Sequence, residues 1–147
     1  ELEPSGPEEA QALSLIREWD LHTDTANRNA ALGVCILLEE WQAERTGNAL
    51  PDARETLHTC MESVRDVAGR LDPEWGTVQQ HGRGQRSWPA AGGPDTLRAM
   101  YAEQLEDEDD FLTVVAGDGL YYLIEWKAEG EQTIRGTHQY GSQMTDD

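Results

Sequence analysis

The most constraining feature of this chain is residues 111–126, FLTVVAGDGLYYLIEW, which combine β-branched and aromatic residues at high density. Two apolar arms, residues 112–115 and 120–124, meet at Gly117-Asp118-Gly119. Asp-Gly between apolar arms predicts a β-hairpin, because glycine adopts the positive φ that tight turns require. Both arms are nearly continuous in apolar residues, so we expect other parts of the protein to cover both faces.

Three earlier segments place apolar residues at helical spacing, which predicts three amphipathic helices. The second helix should be capped by Thr23 or Asp24, and the third should open at Pro51-Asp52, where proline is tolerated. The predicted helices cover residues 9–20, 24–46 and 51–71.

The rest of the chain divides into shorter pieces around these helices and strands. The predicted order is a leader or linker stump at 1–8, helices at about 9–71, an ordered loop at about 72–93 with a short strand near 77–79, a short helix at about 94–104, and strands at about 111–138, the third at 131–138. Helices followed by strands favour an α+β fold over alternating βαβ units. The length of 147 residues fits one domain.

The charge of the chain excludes two classes of partner. Twenty-nine acidic residues against 11 basic ones give a net charge of −18. A field of that sign repels phosphate backbones and anionic lipid surfaces. No apolar run approaches the roughly 20 residues that span a bilayer. We therefore expect no nucleic-acid or membrane partner.

Metal-binding patterns are incomplete in this sequence. Cys35 lies in an apolar run and is interpreted as a core residue, while His58-x-Cys60 is half of a metal site without a second pair. The acidic run EDEDD at residues 106–110 lacks the spacing and central glycine of an EF-hand. We expect no metal or other cofactor, and the redox state of the two cysteines stays open.

No catalytic constellation stands out either. Ser142, His138 and Asp146 are the residue types of a catalytic triad, but they crowd into nine residues without a Gly-x-Ser-x-Gly elbow. Arg83 and Arg86 could bind an anion or pair with nearby carboxylates. The residues alone therefore predict no catalytic side chain and assign no substrate-binding residue.

Four segments, in collinear order over about residues 10–147, resemble the late β-chain of the penicillin acylase family. Residues 16–41 (IREWDLHTDTANRNAALGVCILLEEW) resemble its Leu-x-x-Trp-Asp helix and the helix that follows. Residues 71–99 (LDPEWGTVQQHGRGQRSWPAAGGPDTLRA) resemble its Trp-Gly segment and later Pro, Gly-Gly and Asp-Thr-Leu pattern. GDGLYYLIEW and THQYGSQMTDD resemble the next strands and a Gly-Ser segment. The most similar branch contains the acyl-homoserine-lactone acylases.

The resemblance implies an N-terminal-nucleophile amidohydrolase with an αββα sandwich, matured by self-cleavage into α and β chains. In that family the N-terminal serine of the β-chain attacks the amide, with its own α-amino group as base. The serine, the oxyanion-hole asparagine and an arginine lie upstream of the matched stretch, and Asn27 and Asn29 do not match that asparagine. Since the chain begins at Glu1 and stops before the family's Ser-Pro-His-Tyr stretch, we expect a β-chain fragment.

The implied role of this piece is structural and the piece alone should be inactive. Its partners would be the α-chain and the N-terminal part of the β-chain, with a small N-acyl amide as the substrate of the whole enzyme. The family also implies a periplasmic or secreted location. Two alternatives remain: an independent acidic protein-binding module, and a self-contained hydrolase that uses Ser142 or His138.

Overall fold

Three helices form the first half of the structure, a computed structural model that describes residues 2–83, 85–94, 99–104 and 111–138 (only the backbone at 83, 137 and 138). Helix α1 covers Pro7–Glu18, α2 covers Ala30–Thr46 and α3 covers Ala53–Ala68. The three helices predicted from periodicity are therefore confirmed. No helix in these ranges is long and apolar enough to cross a membrane.

The helix ends follow from local chemistry at some positions and from distant contacts at others. Asp52 caps α3 by accepting hydrogen bonds from the backbone N–H groups of Arg54 and Glu55. Gly47 ends α2 in the left-handed conformation, with φ of 69°. The predicted start of α2 near Thr23 or Asp24 is wrong, because residues 19–29 form a loop whose carbonyl groups bond elsewhere in the chain.

The helices enclose an apolar core that a disulfide crosses. Cys35 of α2 and Cys60 of α3 are bonded at an S–S distance of 2.11 Å, 25 residues apart in sequence. Cys60 is fully buried, whereas Cys35 is only partly buried. The buried core residues are Ala12, Leu13, Ala30, Ala31, Leu32, Val34, Leu57, Cys60, Met61, Val64, Val67, Leu71, Trp75 and Val78. Cys35 is therefore half of a covalent link between two helices in addition to its packing role.

Residues 72–93 are more regular than the predicted loop. A single helical turn, α4 (Trp75–Val78), leads into strand β1 (Gln79–Arg83), which pairs with β2 (Arg86–Pro89). The fully buried Gln79 side chain donates hydrogen bonds to the carbonyl groups of Ala90 and Gly92. Those bonds fix the segment that follows β2 against the start of β1, which no local sequence pattern indicates.

Four strands form a mixed sheet in the order β2-β1-β4-β3. Strand β3 covers Met100–Glu103 and β4 covers Leu112–Gly117. Strand β4 runs parallel to β1 and antiparallel to β3. The predicted short helix at 94–104 is wrong over residues 100–103, because pairing with β4 holds them as a strand and buries Met100. Residues 95–98 lie outside the described ranges.

The last two strands form a separate antiparallel hairpin. Strand β5 (Leu120–Trp126) pairs along its length with β6 (Gln132–His138), from Leu120↔His138 to Trp126↔Gln132. Gly130, with φ of 84°, allows the connecting turn. The α+β class, the antiparallel hairpin and the third strand are confirmed.

The position of the predicted hairpin is wrong, because β4 and β5 belong to different sheets. Asp118 does not close a turn between them. Its N–H donates to the carbonyl of Ala99, and its Oδ2 accepts from the N–H of Ala99 and the hydroxyl of Tyr121. These bonds attach residue 118 to the segment before β3, so the chain leaves the four-stranded sheet there and starts a second one.

Candidate functional site

Only some of the residues considered for catalysis from sequence lie within the described ranges. Ser142, Asp146 and the acidic run 106–110 lie outside the described residues, and His138 is described only as the last residue of β6. Arg83 and Arg86 occupy paired positions at the ends of β1 and β2. Within the described ranges, no group of three or more His, Cys, Asp and Glu side chains could hold a metal ion.

The possible half metal site at His58 and Cys60 has other bonding. The sulfur of Cys60 is bonded to Cys35, so it does not provide a thiolate ligand. The Nε2 atom of His58 lies 2.5 Å from Oε1 of Glu9. Both side chains are therefore engaged in links between helices.

Glu9 is the centre of a cluster of charged side chains that the sequence did not predict. Its side chain is almost completely buried, and it accepts hydrogen bonds from the backbone N–H of Ser5 at 2.6 Å and from Nη1 of Arg54 at 2.6 and 2.7 Å. The Ser5 N–H, His58 and Arg54 together lower the pKa of Glu9 to about 2, although burial opposes the shift. Glu9 is therefore a carboxylate at neutral pH.

Arg54 of the same centre and Arg17 of α1 also fix residues 2–6. The Arg54 Nη2 atom donates to the carbonyl of Glu3, and Arg17 donates to the carbonyl of Leu2. A cleft of about 350 Å³ lies beside Glu9 and is lined in part by Ser5 and His58. Among the described residues, the hydrogen-bond partner found for the His58 ring is Glu9, and no hydroxyl or thiol bonds to it. The centre holds the predicted leader against α1 and α3.

Two of the four segments that carry the family resemblance, residues 16–41 and 71–99, meet at a structural junction. The ring of Trp19 packs directly on Gly33, where an added Cβ would lie 2.1 Å from the ring. The Trp19 Nε1–H donates to the carbonyl of His22, and Asp20 Oδ1 accepts from the His22 N–H and the Asn27 amide. These bonds hold Leu21 in the left-handed region at φ 63°, a conformation that costs a leucine strain energy.

The other side of this junction is the Trp75-Gly76 segment. The carbonyl groups of Asn27 and Thr25 accept from the N–H groups of Trp75 and Gly76 at 2.9 and 2.8 Å. The Thr23 carbonyl accepts from the Gly92 N–H, and the indole of Trp75 donates to the Gly92 carbonyl. These residues connect the helices to the four-stranded sheet. Their side chains pack against neighbouring residues, and their polar groups form hydrogen bonds with the backbone.

The hairpin β5–β6 carries six of the eleven exposed large apolar side chains in the described part of the chain. Alternate residues share a face of a strand, and directly paired residues share it across strands. One face, which we call the uncharged face, contains residues 120, 122, 124 and 126 of β5 and residues 132, 134, 136 and 138 of β6. These positions carry no Asp, Glu, Lys or Arg. The exposed fractions of its large side chains are 50% for Leu120, 62% for Tyr122, 43% for Ile124, 66% for Trp126 and 61% for Ile134.

The opposite face of the hairpin has a different composition. It places Tyr121, Leu123 and Glu125 of β5 beside positions 137, 135 and 133 of β6, which are Thr, Arg and Thr. Among the described residues, neither strand packs extensively against another element. An apolar surface of this extent marks an interaction site. The uncharged face is therefore the strongest candidate functional site.

Comparison with known proteins adds no assignment. No protein-family model matches the chain, and no curated protein matches it.

The sequence held a signal for part of this site. The alternation of Leu120, Tyr122, Ile124 and Trp126 marks one face of β5, but the apolar residues between them conceal it. The Glu9 centre had no such signal, because Arg54 and His58 lie 45 and 49 residues away along the chain.

Proposed function

We propose that this chain is a structural part of an amidohydrolase of the penicillin acylase type. The enzyme would hydrolyse the amide C–N bond of an N-acyl substrate, such as a penicillin or an acyl-homoserine lactone. Its nucleophile would be an N-terminal serine that lies outside this segment. The observation that carries the proposal is the junction at Trp19, Asp20, Trp75 and Gly76, because two segments that resemble the family meet there and their side chains serve packing.

The uncharged face supports the view that this chain is one part of a larger assembly. A chain with net charge −18 that leaves five large apolar side chains exposed on one sheet face needs a partner to cover them. In the proposed enzyme, the partners are the α-chain and the N-terminal part of the β-chain. Those parts would also hold the acyl pocket.

The disulfide supports the proposed compartment. Cys35–Cys60 links two helices across a buried core, and such bonds persist in oxidising environments such as the bacterial periplasm or the extracellular medium. This agrees with the periplasmic or secreted location of the proposed acylase.

Two measurements test the proposal. The purified 147-residue chain should release no product from a penicillin or from an acyl-homoserine lactone, and hydrolysis that Ser142→Ala or His138→Ala abolishes would contradict it. The DNA that flanks the coding sequence should encode a Gly-Ser-Asn type cleavage site upstream and a Ser-Pro-His-Tyr stretch downstream. A stop codon directly after Asp147 would also count against the proposal.

The uncharged face also favours a second candidate, an acidic protein-binding module without catalysis. This alternative shares the exposed side chains of β5 but requires that the chain be complete as given. It predicts the stop codon after Asp147 and a cooperative, monomeric melt of the isolated chain. The flanking sequence therefore separates the two candidates.

A further inference from the structure

Asp118 ends the ladder between β3 and β4 with its side chain in place of its backbone carbonyl. In the register Met100↔Gly117, the next pair would be residues 99 and 118. A hydrogen-bonded antiparallel pair exchanges two N–H···O=C bonds. The Asp118 N–H does donate to the Ala99 carbonyl at 2.9 Å, but the Ala99 N–H donates to Oδ2 of Asp118, also at 2.9 Å. The carboxylate therefore completes the pair while the backbone turns away from the sheet.

The two sides of Asp118 differ in how closely they are packed. An added Cβ at Gly117 would lie 2.6 Å from the Ala99 carbonyl oxygen and 2.8 Å from the sulfur of Met100. An added Cβ at Gly119 would meet no atom within 4 Å. The chain is therefore held tightly up to residue 117, and packing no longer restricts it at residue 119.

The sheet side of Asp118 is anchored in buried structure. Met100, next to Ala99, is 2% exposed, and its N–H donates to the Gly93 carbonyl at 3.0 Å. Ala99 also forms a parallel bridge with Gly93. The Ala99 N–H is therefore a fixed donor, and whatever bonds to it takes a defined position relative to the four-stranded sheet.

The hairpin side of Asp118 is tied to the same carboxylate oxygen. The hydroxyl of Tyr121, the second residue of β5, donates to Oδ2 of Asp118 at 3.2 Å. Oδ2 thus accepts from Ala99 on one side and from Tyr121 on the other. Since the described part of β5 and β6 packs little against other elements, this bridge has few competing contacts.

We propose that the Asp118 carboxylate is a latch that sets the direction in which the β5–β6 hairpin leaves the four-stranded sheet. With the latch closed, the hairpin has one orientation. When either bond to Oδ2 is lost, the hairpin pivots as a unit about residues 118–119, because its own ladder does not depend on Asp118. The latch belongs to the fold of this chain whether or not the chain is part of an acylase.

The test measures a distance across the latch by pulsed electron spin resonance. Spin labels are placed at Ser63→Cys on α3 and Ala128→Cys in the turn between β5 and β6, both exposed positions. Labelling without reductant keeps the native disulfide. The carrier with Asp118 and Tyr121 intact should give a narrow distance distribution. Loss of a hydrogen bond to a charged group should raise the population of other orientations about tenfold, so Tyr121→Phe should broaden the distribution and Asp118→Ala should broaden it further.

Controls separate pivoting from unfolding. Glu125→Ala removes a different exposed carboxylate from β5 and should keep the narrow distribution. Hydrogen exchange of the β5 and β6 amides, and the helical circular dichroism signal, should match in all of these proteins. Tyr121→Phe is the milder of the two latch variants, since it removes one hydroxyl and keeps the ring. A distribution unchanged by either latch variant would overturn the proposal, as would broadening that is accompanied by faster exchange within the hairpin.

Discussion

At the residue scale, the lowered pKa of Glu9 predicts how the stability of the fold depends on pH. Its pKa is lowered from the ordinary value of 4.5 to about 2 by the Ser5 N–H, His58 and Arg54. A depressed folded-state pKa contributes stability above the unfolded value, and this contribution is lost as pH falls from about 4.5 to about 2. The melting temperature of the wild type should therefore fall more steeply in this window than that of Glu9→Gln.

Glu8→Gln is the matched control for that experiment. Glu8 is an exposed neighbour that pairs with Arg65 on the surface of the same two helices. Its replacement should leave the acid limb of the melting curve close to that of the wild type. Parallel pH profiles for wild type and Glu9→Gln would show that the Glu9 centre does not stabilise the fold.

At Gly33, alanine should destabilise the fold, which is the opposite of its usual effect in a helix. Alanine normally stabilises a helix relative to glycine by about 1 kcal/mol. At Gly33 the added Cβ would overlap the Trp19 ring, so Gly33→Ala should lower the free energy of unfolding by about 1–3 kcal/mol. Urea unfolding measures this change. Gly119→Ala, which meets no atom within 4 Å, is the control and should change stability little.

At the element scale, local patterns predicted the helices well and the strand pairing poorly. Periodicity and the cap at Asp52 determine α3 from neighbouring residues, so sequence inspection located it closely. Residues 100–103 favour no strand locally and become β3 only through β4. Asp118-Gly119 has the composition of a hairpin turn, but Asp118 bonds to Ala99 across 19 residues. The pairing of β5 with β6 is local by contrast, and the sequence predicts the second of these strands at 131–138.

The link between α2 and α3 predicts a large loss of stability without the disulfide. In the chain-entropy account, a cross-link that closes a loop of this length contributes about 3 kcal/mol. The double variant Cys35→Ala/Cys60→Ala should lose about that much free energy of unfolding, as measured by urea denaturation. A reductant should lower wild-type stability similarly and leave the variant unchanged. Equal unfolding midpoints for the two proteins would contradict a stabilising role.

At the scale of the whole molecule, the structure combines two regions of different burial. Helices α2 and α3 share the enclosed core and the disulfide, whereas β5 and β6 expose most of their large side chains. Opening free energies within one protein range from near zero to the global value, and they follow local burial. The helices should therefore open only with global unfolding, and the hairpin should open independently at much lower cost.

Hydrogen exchange followed by mass spectrometry measures this difference directly. Amides of β5 and β6 should exchange well before those of α3 in the isolated chain, because few buried contacts oppose local opening. Low urea concentrations should hardly change the hairpin rates, since a local opening exposes little new surface. Equal protection in hairpin and helices, with the same urea dependence, would mean that the hairpin belongs to the cooperative core and is stable without a partner.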